Sequence, residues 1–156
     1  MKDNGIDQSF TKLAQCVTEA IVITDRKGRI TWTNDSFLQL CGYSSEEVVG
    51  QKPGSILQGE RSDPEAIRAM GDAIKKGMGI EVEMINYHKN GSPYWVAVSI
   101  TPIKGRRNQV TGFLAIERNT TQHHDEVAFL ERQVVQVYNA LLLAEGHDAS
   151  IELVIS

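Results

Sequence analysis

Residues 81–103, EVEMINYHKNGSPYWVAVSITPI, decide how this chain folds. Two runs rich in β-branched and aromatic residues flank Lys89, Asn90, Gly91 and Ser92, and Asn-Gly signals a tight turn because both residues tolerate positive φ. The stretch therefore predicts a long antiparallel hairpin. In its second arm the two-residue period of a strand puts Val96, Val98 and Ile100 on one face and Trp95, Ala97, Ser99 and Thr101 on the other. In the first arm Val82, Met84 and Asn86 share a face. If that face is the one carrying Val96 and Val98, an amide points into an apolar interior, where an unpaired polar group costs about 1–3 kcal/mol. Asn86 then needs a partner, which a backbone carbonyl, a water or a bound ligand could supply.

Working outward toward the N-terminus, Ile67, Met70 and Ile74 fall on one face of a helix running to Lys76. Ser62-Asp63-Pro64-Glu65 opens that helix with an N-cap, a proline at the first helical position and a capping box. Residues 50–59, GQKPGSILQG, carry three glycines and a proline around Ile56 and Leu57, the pattern of an irregular segment with one apolar anchor. Before it, Asn34-Asp35 caps a short helix ending at Gly42, and Ser44 with Glu47 forms a capping box for another, closed by Gly50. Residues 21–24 and 29–33 form a second hairpin around Asp25-Arg26-Lys27-Gly28. Phe10, Leu13, Val17 and Ala20 predict an amphipathic N-terminal helix.

Toward the C-terminus, a loop at Gly105-Arg106-Arg107-Asn108 leads to a last strand, Val110 to Glu117, with Phe113, Ala115 and Glu117 on one face. From Asp125 onward, Val127, Leu130, Val134, Val137, Leu141 and Ala144 follow the alternating three-four repeat of a coiled-coil seam. The order of elements predicts an α+β fold with a five-stranded antiparallel sheet. It divides into an N-terminal cap helix (1–19), a core (20–120), a C-terminal helix (121–146) and a tail or linker (147–156).

The chain has 156 residues, 41% hydrophobic and 23% charged, with a net charge of −4, the profile of one globular domain with neither a nucleic-acid footprint nor a polybasic membrane patch. Without a long apolar run or signal peptide, the sequence predicts a cytoplasmic segment with no membrane span. Cys16 and Cys41 sit in apolar helical patterns and are expected as buried structural thiols. His123 and His124 are adjacent and cannot share a helix face as a metal pair would, so no metal is expected. No nucleophile-base set, phosphate loop or paired carboxylate motif stands out, which predicts a non-enzyme.

Residues 22–50, VITDRKGRITWTNDSFLQLCGYSSEEVVG, resemble the first half of PAS domains. The runs ILQGERSDPEAIRAMGDAI, INYHKNGSPYW and GFLAIE resemble the flavin-binding LOV (light, oxygen, voltage) photosensors and related flavin-binding redox sensors. That likeness implies a flavin ring held between the sheet and the short helices. It places Asn86 at the polar edge of the ring and Gln58 at the ribityl and phosphate end. Thr24 and Asn34 would line the pocket, Val22, Leu57, Val98, Ile100 and Phe113 would contact the ring, and Glu117 replaces the family's signalling glutamine.

The departures shape the expected mechanism. The LOV cysteine that bonds the flavin falls on Gly54, between Pro53 and Ser55, so no adduct is expected. The two phosphate-binding arginines fall on Ser55 and Gly71, with Arg68 one turn away as a substitute, and a second ring-binding asparagine falls on Val96. These losses favour FAD over FMN, or an empty pocket. The resemblance thus implies a signal-transducing sensor of redox state or of light-driven flavin reduction. It would form a homodimer through its terminal helices and be joined to an output domain such as a kinase, cyclase or transducer. A cofactor-free dimerisation and relay module and a small-metabolite binder are the alternatives.

Overall fold

The computed structural model describes residues 8–146, in two units divided between Thr120 and Thr121. The first unit runs α1 (Gln8–Gln15), β1 (Ala20–Asp25), β2 (Ile30–Thr33), α2 (Asp35–Cys41), α3 (Ser45–Val48), α4 (Pro53–Leu57), α5 (Pro64–Lys76), β3 (Ile80–Tyr87), β4 (Pro93–Lys104) and β5 (Val110–Asn119). The second is α6 (Thr121–Ala144). The strands form one antiparallel sheet in the order β2-β1-β5-β4-β3, the α+β fold the order of elements predicts.

The central hairpin sets the register. Met84 lies opposite Val96, Val82 opposite Val98 and Asn86 opposite Tyr94, so the Asn86 side of β3 is the apolar side of β4. The turn is larger than Asn-Gly alone predicts. His88 O accepts from Gly91 N at 2.8 Å and His88 N donates to Ser92 O at 2.9 Å, and only Gly91, at φ 89°, is left-handed. Asn90 contributes through its side chain instead, accepting from Ser92 N at 2.9 Å. The β1–β2 turn follows the same plan: Gly28 has φ 82°, and Asp25 Oδ1 accepts from Lys27 N and Arg29 N, each at 2.9 Å.

Helix ends follow local chemistry in most places. Asn34 caps α2, Gly42 ends it with φ 77°, and the Ser44–Glu47 capping box starts α3. Three expectations are corrected. Residues 53–57 form a helical turn, α4, because Pro53 is preorganised for the first helical position and Leu57 anchors it, buried in the core. The N-cap of α5 is Asp63, which accepts from Glu65 N, and the expected Ser62 box is absent because Ser62 Oγ donates to Ile85 O on β3 at 2.6 Å. Helix α1 stops at Gln15, so Val17 lies beyond it and Ala20 begins β1, buried where β1 meets β5.

The core lies on the inner face of the sheet, where Val22, Ile30, Phe37, Val48, Leu57, Met84, Val96 and Phe113 are almost wholly buried. In α6 the repeat residues Leu130, Val134, Val137 and Leu141 are exposed. No helix among the described residues is long and apolar enough to cross a membrane. The expected tail, 147–156, and residues 1–7 of the expected cap lie outside the described residues.

Candidate functional site

A cavity of about 850 Å³ lies between the inner face of the sheet and helices α4 and α5, within the usual range for small-molecule sites. Nine of the ten residues singled out in the sequence line it: Val22, Thr24, Leu57, Gln58, Asn86, Val98, Ile100, Phe113 and Glu117. They come from four strands and one helical turn, and register explains the convergence. Glu117 stands between Val98 and Ala20, Ala115 between Ile100 and Val22, and Phe113 opposite Thr24, so one face of β5 is continuous with the inner faces of its neighbours.

The tenth, Asn34, belongs to the scaffold. Its Oδ1 accepts from Ile21 N at 2.8 Å and Phe37 N at 3.1 Å, and its Nδ2 donates to Ala14 O and Glu19 O, both at 3.0 Å. Every hydrogen bond the amide can comfortably make is thus spent tying α1, β1 and α2 together. Arg68 is exposed and does not line the cavity. Val96, at the position where the resemblance has a ring-binding asparagine, is fully buried in the core cluster.

The segment carrying Leu57 and Gln58 is held down by β3. Ser62 Oγ accepts from Gly59 N at 3.0 Å, and Arg61 N donates to the Tyr87 hydroxyl at 2.9 Å. A side chain at 59 would stand 2.4 Å from the Tyr87 ring, so glycine is needed for the approach that delivers Gln58 to the cavity. The Gln58 side chain in turn lies over Gly54, where a Cβ would be 2.8 Å from its Nε2. Neither thiol lines the cavity. Cys41 is buried in α2 as expected, where burial pushes its pKa up, but Cys16 is exposed because α1 ends at Gln15 and leaves it beyond the packed helix.

The polar groups of the interior are few and underused. Glu117 Oε2 is buried with no hydrogen-bond partner, and burial pushes the carboxyl from an ordinary 4.5 to about 7. Asn86 is buried next to the Tyr94 hydroxyl, which itself has no partner of hydrogen-bonding geometry. Burial and the neighbouring Glu117 carboxyl hold the Tyr94 hydroxyl protonated well above its ordinary pKa. An apolar slot with an amide and a carboxyl on its sheet wall suits a flat heterocycle that is polar along one edge, which is what a flavin ring presents.

Sequence reasoning missed two sets of lining residues. Met84, Ala115, Ile67, Met70 and Ile74 follow from strand and helix periodicity and could have been named. Arg26, Lys27, Arg29, Lys52 and Lys75 come from three distant segments, and nothing local marks them. No group of three or more potential metal ligands occurs among the described residues.

Comparison with known proteins agrees with this architecture. A PAS domain family model matches residues 18–122. Phototropin-1A from Oryza sativa subsp. japonica is 31% identical over 134 residues, covering 84% of this chain but 14% of the relative. A blue-light-activated histidine kinase from Brucella anthropi is 27% identical over 135 residues, covering 80% of this chain and 27% of the relative. A light-oxygen-voltage domain solved in a study of a flavin analogue superposes with a TM-score of 0.70 at 27% identity, covering 83% of this chain and 97% of that one. The family model spans the whole sheet and every helix that walls the cavity, so the chain belongs to the PAS domain family, with LOV domains among its relatives.

Proposed function

We propose that this PAS domain is a sensory module that binds a flavin in the cavity, rather than a catalyst. The observation that carries the reading is two buried polar groups, Asn86 and Glu117, an amide and a carboxyl that line the interior of a cavity of about 850 Å³, with Glu117 Oε2 lacking any partner. Leaving the Glu117 oxygen unpaired costs about 1–3 kcal/mol, which a ligand edge carrying donors and acceptors would recover. The likeness to blue-light-activated and light-oxygen-voltage proteins supports the same reading.

A bound flavin would supply light absorption and proton-linked electron transfer. The chain's own contribution is Glu117. With its pKa near 7, the carboxyl donates a hydrogen bond when protonated and only accepts when ionised, so a small change at its neighbour would switch its role. Glu117 precedes α6 by a few residues along the chain, a short covalent path for a signal. We assign α6 to pairing with a second copy, because its repeat residues are exposed, and to connection with an output domain. The loss of the two arginines favours FAD over FMN, with FMN as the alternative, since the likeness to light-oxygen-voltage domains supports a flavin of either kind.

The test is the visible absorption spectrum of purified protein, or of protein reconstituted with flavin, with Asn86→Leu as the variant. Wild type should show bound flavin. The variant should bind about ten-fold more weakly, since one side of a buried hydrogen-bonded pair is lost. Wild type without flavin after reconstitution would point to the cofactor-free relay or to a metabolite binder.

A further inference from the structure

The cavity opens where its lining residues are exposed: at the cations of the β1–β2 turn and Arg29, at Lys52 and Ser55 beside α4, and at Gly71 and Lys75 on α5. The turn is fastened to the two helical sides of this mouth in different ways. Toward α4 the fastening is mainly backbone. Ile30 N donates to Gln51 O at 2.9 Å, Gly50 N donates to Ile30 O at 2.8 Å, and Arg29 Nη1 adds a bond to Gly50 O at 3.1 Å. Toward α5, among the described residues, the hydrogen bonds come from one side chain. Arg26 Nη1 donates to Ile74 O at 2.8 Å and its Nη2 to Lys75 O at 3.4 Å, both carbonyls in the last turn of α5. The same guanidinium lies 6.0 Å from the centre of the Phe113 ring, which lines the cavity, so Arg26 reaches from the turn across the cavity wall to the helix.

The end of α5 is the part of the wall suited to move. The segment leading into α5 is tied to the sheet by Ser62 Oγ, which donates to Ile85 O at 2.6 Å, while beyond its last turn come Gly77, at φ 67°, and Gly79, where the backbone bends most freely. Ile67, Met70, Ile74 and Lys75 of α5 line the cavity, so a shift of the helix end widens it. Under the Arg26 side chain the packing is a single apolar touch, since Gly28 offers no side chain and a Cβ there would stand 3.7 Å from Ile74 Cδ1. A flat fused-ring ligand cannot fold to pass a narrow opening, so one wall has to give.

We propose that Arg26 is a strap across the cavity mouth, fastening the end of α5 to the β1–β2 turn, and that a ring enters or leaves when its two bonds break and the last turn of α5 swings out. The ligand in this inference is the flavin of the reading above. A strap closed over both the empty and the filled cavity contributes equally to the two states, so it sets the rates of exchange and leaves the affinity alone. It thereby governs how long the sensor keeps its cofactor.

The experiment uses Arg26→Met, which keeps an apolar stem and removes the donors, and riboflavin, which is uncharged and so is not steered by the lost cation. Arg26 is exposed, so the variant should fold. Stopped-flow fluorescence should show association and dissociation both faster by about five-fold at nearly constant Kd, the effect of losing a charged hydrogen bond of modest strength. Unchanged rates would overturn the strap, as would weaker binding through dissociation alone, which would make Arg26 a ligand contact. Amide hydrogen exchange of the ligand-free protein reads the strap without a flavin. Gly77 N, bonded to Ala73 O and Ile74 O, and Met78 N, bonded to Ala73 O at 2.9 Å, close the end of α5 and should exchange about five-fold faster in the variant. Equal exchange would overturn the strap. Riboflavin that fails to bind wild type would overturn the flavin reading, and the strap would then stand or fall on the exchange result.

Discussion

Replacing Glu117 with glutamine tests whether a carboxyl is held proton-bearing inside the sheet. The substitution keeps shape and hydrogen-bonding reach but removes the titration. In the folded chain burial raises the carboxyl from 4.5 to about 7, and the unfolded chain returns it to its ordinary value. Between those values the native state keeps a proton that the unfolded state releases, so stability falls as pH rises through this window. At 1.36 kcal/mol per pH unit the loss approaches about 3 kcal/mol by about pH 8, a large part of the 5–15 kcal/mol typical of a domain. Neighbouring Tyr94 and Cys41 are both biased toward their neutral forms and could ionise only to anions, so neither offers the carboxylate a countercharge. The assay is urea unfolding of the ligand-free protein across pH 4.5 to about 8.5, wild type beside Glu117→Gln. The two should lie close together at the acid end and diverge by about 3 kcal/mol at the alkaline end, wild type being the one that weakens. A difference independent of pH would show that Glu117 reaches solvent in the folded state, and its assignment as a switch would fail.

Asn34→Ala should destabilise the fold by about 3 kcal/mol, because the helix cap goes and buried backbone groups lose partners, while the folded protein keeps its ligand affinity; denaturation and flavin titration read the two separately. Gly71→Ala should raise stability by about 1 kcal/mol, since the position is mid-helix with open space around it, and an unchanged or lower denaturation midpoint would count against the geometry of α5. Leu130→Glu with Val137→Glu should convert a dimer to monomers by light scattering if α6 pairs with a second copy, and a monomeric wild type at high concentration would refute that pairing.

What the sequence determined by itself is what neighbouring residues enforce. Alternation placed Val96, Val98 and Ile100 on one face, Asn34, Gly42, Ser44 and Glu47 bounded their helices through local hydrogen bonds, and the amide at Asn86, out of place in an apolar strand face, marked the interior by its chemistry alone. Nine of the ten site residues that the resemblance implied line the cavity, and for the seven on strands the two-residue period fixes the face. Tertiary structure decided the rest. Asn34 turned from lining to scaffold because its partners Ala14, Glu19 and Ile21 arrive from other elements. Ser62 gave up its cap for a carbonyl on β3 that lies 23 residues away in the chain. The cations at the mouth come together only when the β1–β2 turn, the start of α4 and the end of α5 converge, and charge carries no periodicity that would announce such a meeting.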